Sequence, residues 1–170
     1  PGGNFAGEYS WMDGLLPVDM RAPFESSLGI ETQPHSMGYD YDEINTDDFV
    51  ALCREIGAKP FITINPCWNT PEENAAWVEY CNGTGDTYYA NLRRSHGYEE
   101  PFGVKYWGLG NEMYGMWQMN HKSAADYAKD AQTPTRQVVM NKNIALFKMG
   151  VAGAEMFSYP DGSSDILAPM

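Results

Sequence analysis

Apolar and polar positions alternate with a regular period only from Thr46 onward. Phe49, Leu52, Cys53 and Ile56 recur at i, i+3, i+4 and i+7, the single apolar stripe of a helix. Thr46 is placed to cap that helix, Asp47 and Asp48 sit in its first turn where the dipole favours anions, and Gly57 supplies a left-handed stop. Pro60-Phe61-Ile62-Thr63-Ile64-Asn65-Pro66 predicts a short strand closed by proline. Thr70-Pro71-Glu72-Glu73 then opens a helix, with Thr70 as N-cap, Pro71 at the favoured first position and Glu73 completing a capping box. Ala76, Trp77 and Tyr80 give its buried face and Asn82-Gly83 ends it. A short helix over Tyr88–Ser95, a strand over Val104–Leu109 and a helix from Ser123 to about Ala131, with Asp126 at the box position, follow. Thr133-Pro134 disturbs that last helix. Asn143–Gly150 reads as another strand, 151–163 as loop and 165–167 as the start of a final helix.

Residues 6–45 lack this regularity. Trp11-Met12-Asp13-Gly14, Arg21-Ala22-Pro23 and Gln33-Pro34-His35 are turn signals, and the aromatic residues among them predict an ordered loop over a pocket. Strands alternating with helices predict a parallel α/β sheet. Strand ends near residues 66, 111 and 150 recur about every 40 residues, which suits a (β/α) barrel with insertions and equally an open doubly wound sheet. No Gly-x-Gly-x-x-Gly follows a strand, which lowers the dinucleotide-binding option.

Composition narrows the picture. The 170 residues, 43% hydrophobic and 14% aromatic, suffice for one domain with a core, taken as 1–170. Eleven basic against 23 acidic residues leave a net charge of −12, which disfavours nucleic acid and anionic membrane surfaces. No apolar run approaches the roughly 18 residues of a membrane span. Cys53, Cys67 and Cys81 are odd in number and match no zinc spacing, and His35, His96 and His121 add no ligand cluster; free thiols, a reducing compartment and a cytoplasmic location are expected. The chain begins at Pro1 without Met, so a missing signal peptide carries little weight. Asn82-Gly83-Thr84 is a formal glycosylation sequon, discounted because it overlaps the helix stop.

The chemistry concentrates where Val104–Leu109 runs into Gly110-Asn111-Glu112. The carboxyl end of a parallel strand faces the ligand crevice. A carboxyl group there, partly withdrawn from water, keeps a proton to donate to a glycosidic oxygen, while a second carboxylate attacks or activates water. Asn111 suits a sugar hydroxyl beside the reacting carbon. Taken alone, Asn111-Glu112 reads more readily as a turn with an exposed carboxylate. Glu31, Glu155 and Asp161 are the alternative second carboxylates, although solvated loop acids are common. Trp107 belongs to the core; Trp68, Trp117 and Tyr114, past strand ends, are candidates for stacking on sugar rings. His121 is assigned no role.

Several blocks in order widen the context. They are Pro1-Gly2-Gly3-Asn4-Phe5, Thr70-Pro71-Glu72-Glu73-Asn74-Ala75-Ala76-Trp77-Val78-Glu79-Tyr80-Cys81-Asn82-Gly83, Val104-Lys105-Tyr106-Trp107-Gly108-Leu109-Gly110-Asn111-Glu112-Met113, then Trp117-Gln118 and His121-Lys122, with Ile30-Glu31-Thr32 a weaker marker. Together, from Pro1 to about Lys129, they resemble the α-L-arabinofuranosidases of glycoside hydrolase family 51. The resemblance implies a (β/α)8 TIM barrel, present only in part as its second to fifth strands, and a retaining two-carboxylate mechanism that removes terminal arabinofuranose. It implies Glu112 as general acid/base, Asn111 and Asn4 as substrate-binding residues, no metal or organic cofactor, and a homo-oligomer in the intact enzyme. Arabinan, arabinoxylan and their oligosaccharides are the implied substrates.

Departures accompany the likeness. The family's nucleophile is a Glu near the end of strand seven; no residue here matches it, and it is expected beyond Met170, leaving the 170 residues inactive alone. An Arg usually before Pro-Gly-Gly lies ahead of Pro1. Pro66-Cys67-Trp68-Asn69 replaces small residues, and Tyr114-Gly115-Met116-Trp117-Gln118 stands where the family has Asp-Gly-Pro-Trp-Gln. Both changes put large groups near the pocket mouth. The remaining alternatives are another retaining glycosidase, such as an endoglucanase or xylosidase, and a non-catalytic carbohydrate-binding piece.

Overall fold

The computed structural model of the chain describes residues 3–25, 38–65, 67–118 and 120–132. The strand expected over 143–150, the loop over 151–163, the final helix, Glu31, Glu155 and Asp161 lie outside these residues. The chain divides into two compact units, Glu8–Pro60 and Pro1–Gly7 with Phe61–Met170.

In the Glu8–Pro60 unit, 3-10 turns at Asp13–Leu15 and Val18–Met20 precede a short antiparallel pair, β1 (Phe24–Glu25) with β2 (Tyr39–Asp40). Helix α1 spans Thr46–Glu55. Its cap is Asn45 rather than the expected Thr46: Asn45 Oδ1 accepts from the Asp48 amide at 2.8 Å, and Asp48 Oδ2 accepts from the Asn45 amide at 3.3 Å. The expected stripe is also rotated. Thr46, Asp47, Val50 and Cys53 are buried, whereas Leu52 and Ile56 are 48% and 67% exposed. Thr46 hydrogen-bonds the Tyr9 side chain, so part of the inner face is polar and satisfied, a pattern that apolar periodicity does not register. The helix stops at Gly57 as expected, with φ +70°.

Arg21 ties this unit together. Its Nε donates to the Leu16 carbonyl at 2.9 Å and its Nη1 to the carbonyls of Glu43, at 3.0 Å, and Asp42. Asp42 has φ +48°, and its buried Oδ2 has no hydrogen-bond partner among the described residues. Burial, then the charges of Asp40 and Asp13, push the Asp42 carboxyl up to about 7 against the opposing pull of Arg21. The folded state therefore holds a proton that the unfolded chain releases near the ordinary Asp value of 3.8. The resulting stability is fully present below that value and is lost as pH rises through about 7. Asp42→Asn, which mimics the protonated acid, is expected to leave the urea midpoint little changed at pH 4 and to raise it above wild type at pH 8. Equal shifts at both pH values would show that Asp42 is not titrating in this window.

The second unit carries the parallel sheet. Strand β3 (Phe61–Ile64) pairs in parallel with β4 (Tyr106–Leu109), Phe61 opposite Tyr106 and Ile64 opposite Leu109. Between them lie α2 (Pro71–Asn82) and α3 (Tyr88–Ser95), and α4 (Ala124–Gln132) follows. The Thr70 capping box is formed as expected, Thr70 Oγ1 accepting from the Glu73 amide and Glu73 Oε2 accepting from the Thr70 amide. Ile62, Ile64, Val78, Tyr80, Val104 and Trp107 are buried, and the Trp77 and Trp107 rings meet edge to face at 6.0 Å. Arg93, 0% exposed, donates to the carbonyls of Tyr80, Gly83, Tyr98 and Glu99, fastening α3 to the end of α2 and to the following loop.

Both strands are shorter than the sequence suggests. Val104 is withdrawn from the ladder because Asn82 holds it: Asn82 Nδ2 donates to the Val104 carbonyl and Asn82 Oδ1 accepts from its amide, both at 2.8 Å. The glycosylation sequon thus begins with an amide already engaged on both sides. Cys53, Cys67 and Cys81 are not joined in disulfides, and among the described residues no helix is long and apolar enough to cross a membrane. Asn82→Ala would leave the Val104 amide and carbonyl unpaired and is expected to cost about 2 kcal/mol. A lower urea midpoint at unchanged slope is the corresponding observation.

Candidate active site

The chain leaves β4 through a left-handed reversal. Gly110 has φ +81° and Glu112 has φ +46°. The first is natural for glycine; the second costs a residue with a Cβ about 1 kcal/mol, strain of the kind found at functional sites. The Gly110 amide donates to the Ile64 carbonyl at 3.2 Å, carrying the parallel ladder one step past β4 before the turn. Asn111 and Glu112 are therefore delivered at the carboxyl end of the sheet.

Asn111 reaches the start of the chain. Its Oδ1 accepts from the Gly3 amide at 2.9 Å, and Asn4, the next residue, opens a 3-10 turn at Asn4–Gly7 that lies against β3. Gly3 and the Asn-Glu strand end, about a hundred residues apart in sequence, thus share one place in the fold.

Glu112 is half-buried, and its Oε2 accepts from Trp117 Nε1 at 3.1 Å. The turn between them is closed by the Gly115 amide donating to the Glu112 carbonyl and the Gln118 amide donating to the Gly115 carbonyl. The Trp117 ring crosses Gly115 so closely that a Cβ there would sit 2.4 Å from Trp117 Cε2. Tyr114 meets the same ring edge to face at 6.0 Å. Behind the turn, Tyr127 of α4 donates its hydroxyl to the Leu109 carbonyl at 3.0 Å, and burial pushes that phenol up, keeping it a donor.

At the end of β3, Asn65 is 1% exposed and its Oδ1 accepts from the amides of Cys67 and Trp68, while its carbonyl accepts from Asn74 Nδ2. This side-chain turn ends the strand and fixes where the following loop begins. Of the aromatic residues considered for stacking, Trp68 and Trp117 are 68% and 50% exposed, and Tyr114 is half-buried against Trp117. Trp107, 0% exposed, belongs to the core as expected, its indole donating to the Val104 carbonyl. His121 is exposed. The supports supplied by Asn65, Asn82, Tyr127 and the Trp117 indole carry no signal in hydropathy. Only the glycine between Tyr114 and Trp117 hinted that a ring folds back there.

A parallel α/β unit with an amide and a carboxylate displayed at one strand end defines a strand-end polar site. Comparison with known proteins gives it a family. The profile of the Alpha-L-arabinofuranosidase 1 domain matches residues 1–160, further along the chain than the motifs alone suggest. Over 162 residues the chain is 41% identical to Alpha-L-arabinofuranosidase C of Emericella nidulans, covering 94% of this chain and 30% of that protein. Over 168 residues it is 34% identical to the Intracellular exo-alpha-(1->5)-L-arabinofuranosidase 1 of Bacillus subtilis, covering 98% and 32%. Among solved structures it is similar to the α-L-arabinofuranosidase of Thermotoga maritima in an arabinose complex, with TM-score 0.74, 43% identity and coverage of 85% and 28%. A similar match joins it to the thermostable GH51 α-L-arabinofuranosidase of Thermotoga petrophila, with TM-score 0.75, 43% identity and the same coverage. The chain belongs to the α-L-arabinofuranosidases of glycoside hydrolase family 51. It spans about a third of the length of these relatives.

Proposed function

We propose that the chain contributes the general acid/base of a retaining α-L-arabinofuranosidase, on part of a (β/α)8 barrel that includes the family's second to fifth strands. The observation that carries this reading is Glu112 held in a left-handed turn at the end of a parallel strand, with Asn111 bonded to the segment that contains Asn4. In the first step Glu112 gives its proton to the glycosidic oxygen as the anomeric C–O bond breaks and a second carboxylate forms a glycosyl ester. In the second, Glu112 takes a proton from the water that cleaves the ester, and is ready for another cycle. The partner carboxylate is not assigned to a residue of this chain. Asn111 and Asn4 bind hydroxyls of the arabinofuranosyl ring, and arabinan or arabinoxylan oligosaccharides are the substrates.

The test uses the whole enzyme. Wild type is expected to hydrolyse nitrophenyl α-L-arabinofuranoside in preference to the xyloside and glucoside; a preference for either of the latter would move the protein to another retaining specificity. Glu112→Ala should lower kcat/KM on arabino-oligosaccharides about a thousandfold. Activated aryl arabinofuranosides, which need little acid assistance, should still form the glycosyl-enzyme, and azide should restore turnover by replacing the activated water. Retention of full activity on oligosaccharides, or absence of azide rescue, would remove Glu112 from the acid/base role.

A further inference from the structure

We propose that Trp117 is a positioning residue for Glu112, fixing through its indole N–H which carboxyl oxygen carries the proton. The inference rests on the reading of Glu112 as acid/base. Its basis is the 3.1 Å contact from Trp117 Nε1 to Glu112 Oε2. An indole nitrogen donates and never accepts. The carbonyl oxygen of a carboxylic acid is a better acceptor than its hydroxyl, so the bond favours Oε2 as the unprotonated oxygen when Glu112 is in its acid form and leaves the transferable proton on Oε1. When that proton leaves for the glycosidic oxygen, the new carboxylate keeps the Trp117 bond on Oε2, now charge-assisted and stronger. The same bond holds Oε1 as the oxygen that later accepts the proton from water. The interaction thus strengthens as charge develops on the carboxylate, the property required of a group that assists the transition state rather than ground-state binding.

The surroundings are arranged for this contact. The five-residue reach from Glu112 to Trp117 is closed by the Glu112–Gly115 and Gly115–Gln118 backbone hydrogen bonds. Tyr114 packs edge-on against the indole, and the bare Gly115 backbone lets the ring cross it. Glu112 itself is held at φ +46°. The indole bond restrains the orientation of the Glu112 carboxyl group.

The experiment compares wild type, Trp117→Phe and Gly115→Ala in the whole enzyme. Trp117→Phe keeps a ring for Tyr114 and removes the donor. Gly115→Ala keeps the donor and displaces the ring, since its Cβ would fall 2.4 Å from Trp117 Cε2. Each is assayed on dinitrophenyl, nitrophenyl and phenyl α-L-arabinofuranosides. Loss of proton positioning should grow as the leaving group worsens. Both variants should lose about tenfold or more in kcat on the phenyl substrate, with KM not raised, and less than about twofold in the cleavage step on the dinitrophenyl substrate. An equal loss in the cleavage step on all three substrates, or a loss confined to KM, would make Trp117 a structural or binding residue and overturn the proposal. Failure of the wild type to hydrolyse any of the three would instead sink the acid/base reading beneath it, and the positioning role with it.

Discussion

How the backbone leaves β4 constrains everything at this site. A strand bonded in parallel to β3 must stop, and Glu112 must be turned without unravelling the last ladder bond. Gly110 and Glu112, both left-handed, make the reversal immediately after the Gly110 amide bonds to Ile64. The strain at Glu112 is small beside the packing that opposes its release. Trp107 is buried one residue before Gly108, Tyr127 grips the Leu109 carbonyl, and the Lys122 amide bonds back to the Met113 carbonyl. The backbone at Glu112 holds its left-handed conformation because the bonds around it over-determine it.

That reversal also accounts for the shape of the surrounding unit. Asn82 at the end of α2 sets where β4 begins, by taking both backbone groups of Val104. Asn65 sets where β3 ends, by taking the amides of Cys67 and Trp68. Two asparagines thus trim the strands to four residues each, and a third, Asn111, joins their far end to Gly3. Short strands with polar clamps at both ends confine the strand pairing to four residues on each side.

Much of this was legible in the sequence, and the reasons differ from element to element. The start of α2 was plain because Thr70, Pro71 and Glu73 act locally, and local chemistry is what a sequence displays. The ends of β3 and β4 were overextended because Asn65 and Asn82 act on partners two to 22 residues away, and nothing in a hydrophobic pattern marks an asparagine as a clamp. For α1, the apolar stripe of Phe49, Leu52, Cys53 and Ile56 holds at the buried Cys53 and fails at Leu52 and Ile56, while Thr46, Asp47 and Val50 are buried, because a satisfied polar face can be an inner face. The nearness of Asn111 to the Pro-Gly-Gly-Asn segment came from family likeness rather than from periodicity, since contacts between distant segments leave no local trace. The Trp117–Glu112 bond was not foreseen, because a tryptophan past a strand end reads first as a stacking surface.

The central claim is that Glu112 protonates the leaving oxygen of an arabinofuranoside. Its most direct test is a crystal structure of the whole enzyme with the donor sugar bound. The account predicts a Glu112 oxygen about 3 Å from the glycosidic oxygen, with a second carboxylate about 5 Å away across the ring. A bound arabinofuranoside whose glycosidic oxygen is met by another acid, with Glu112 directed to solvent, would contradict it.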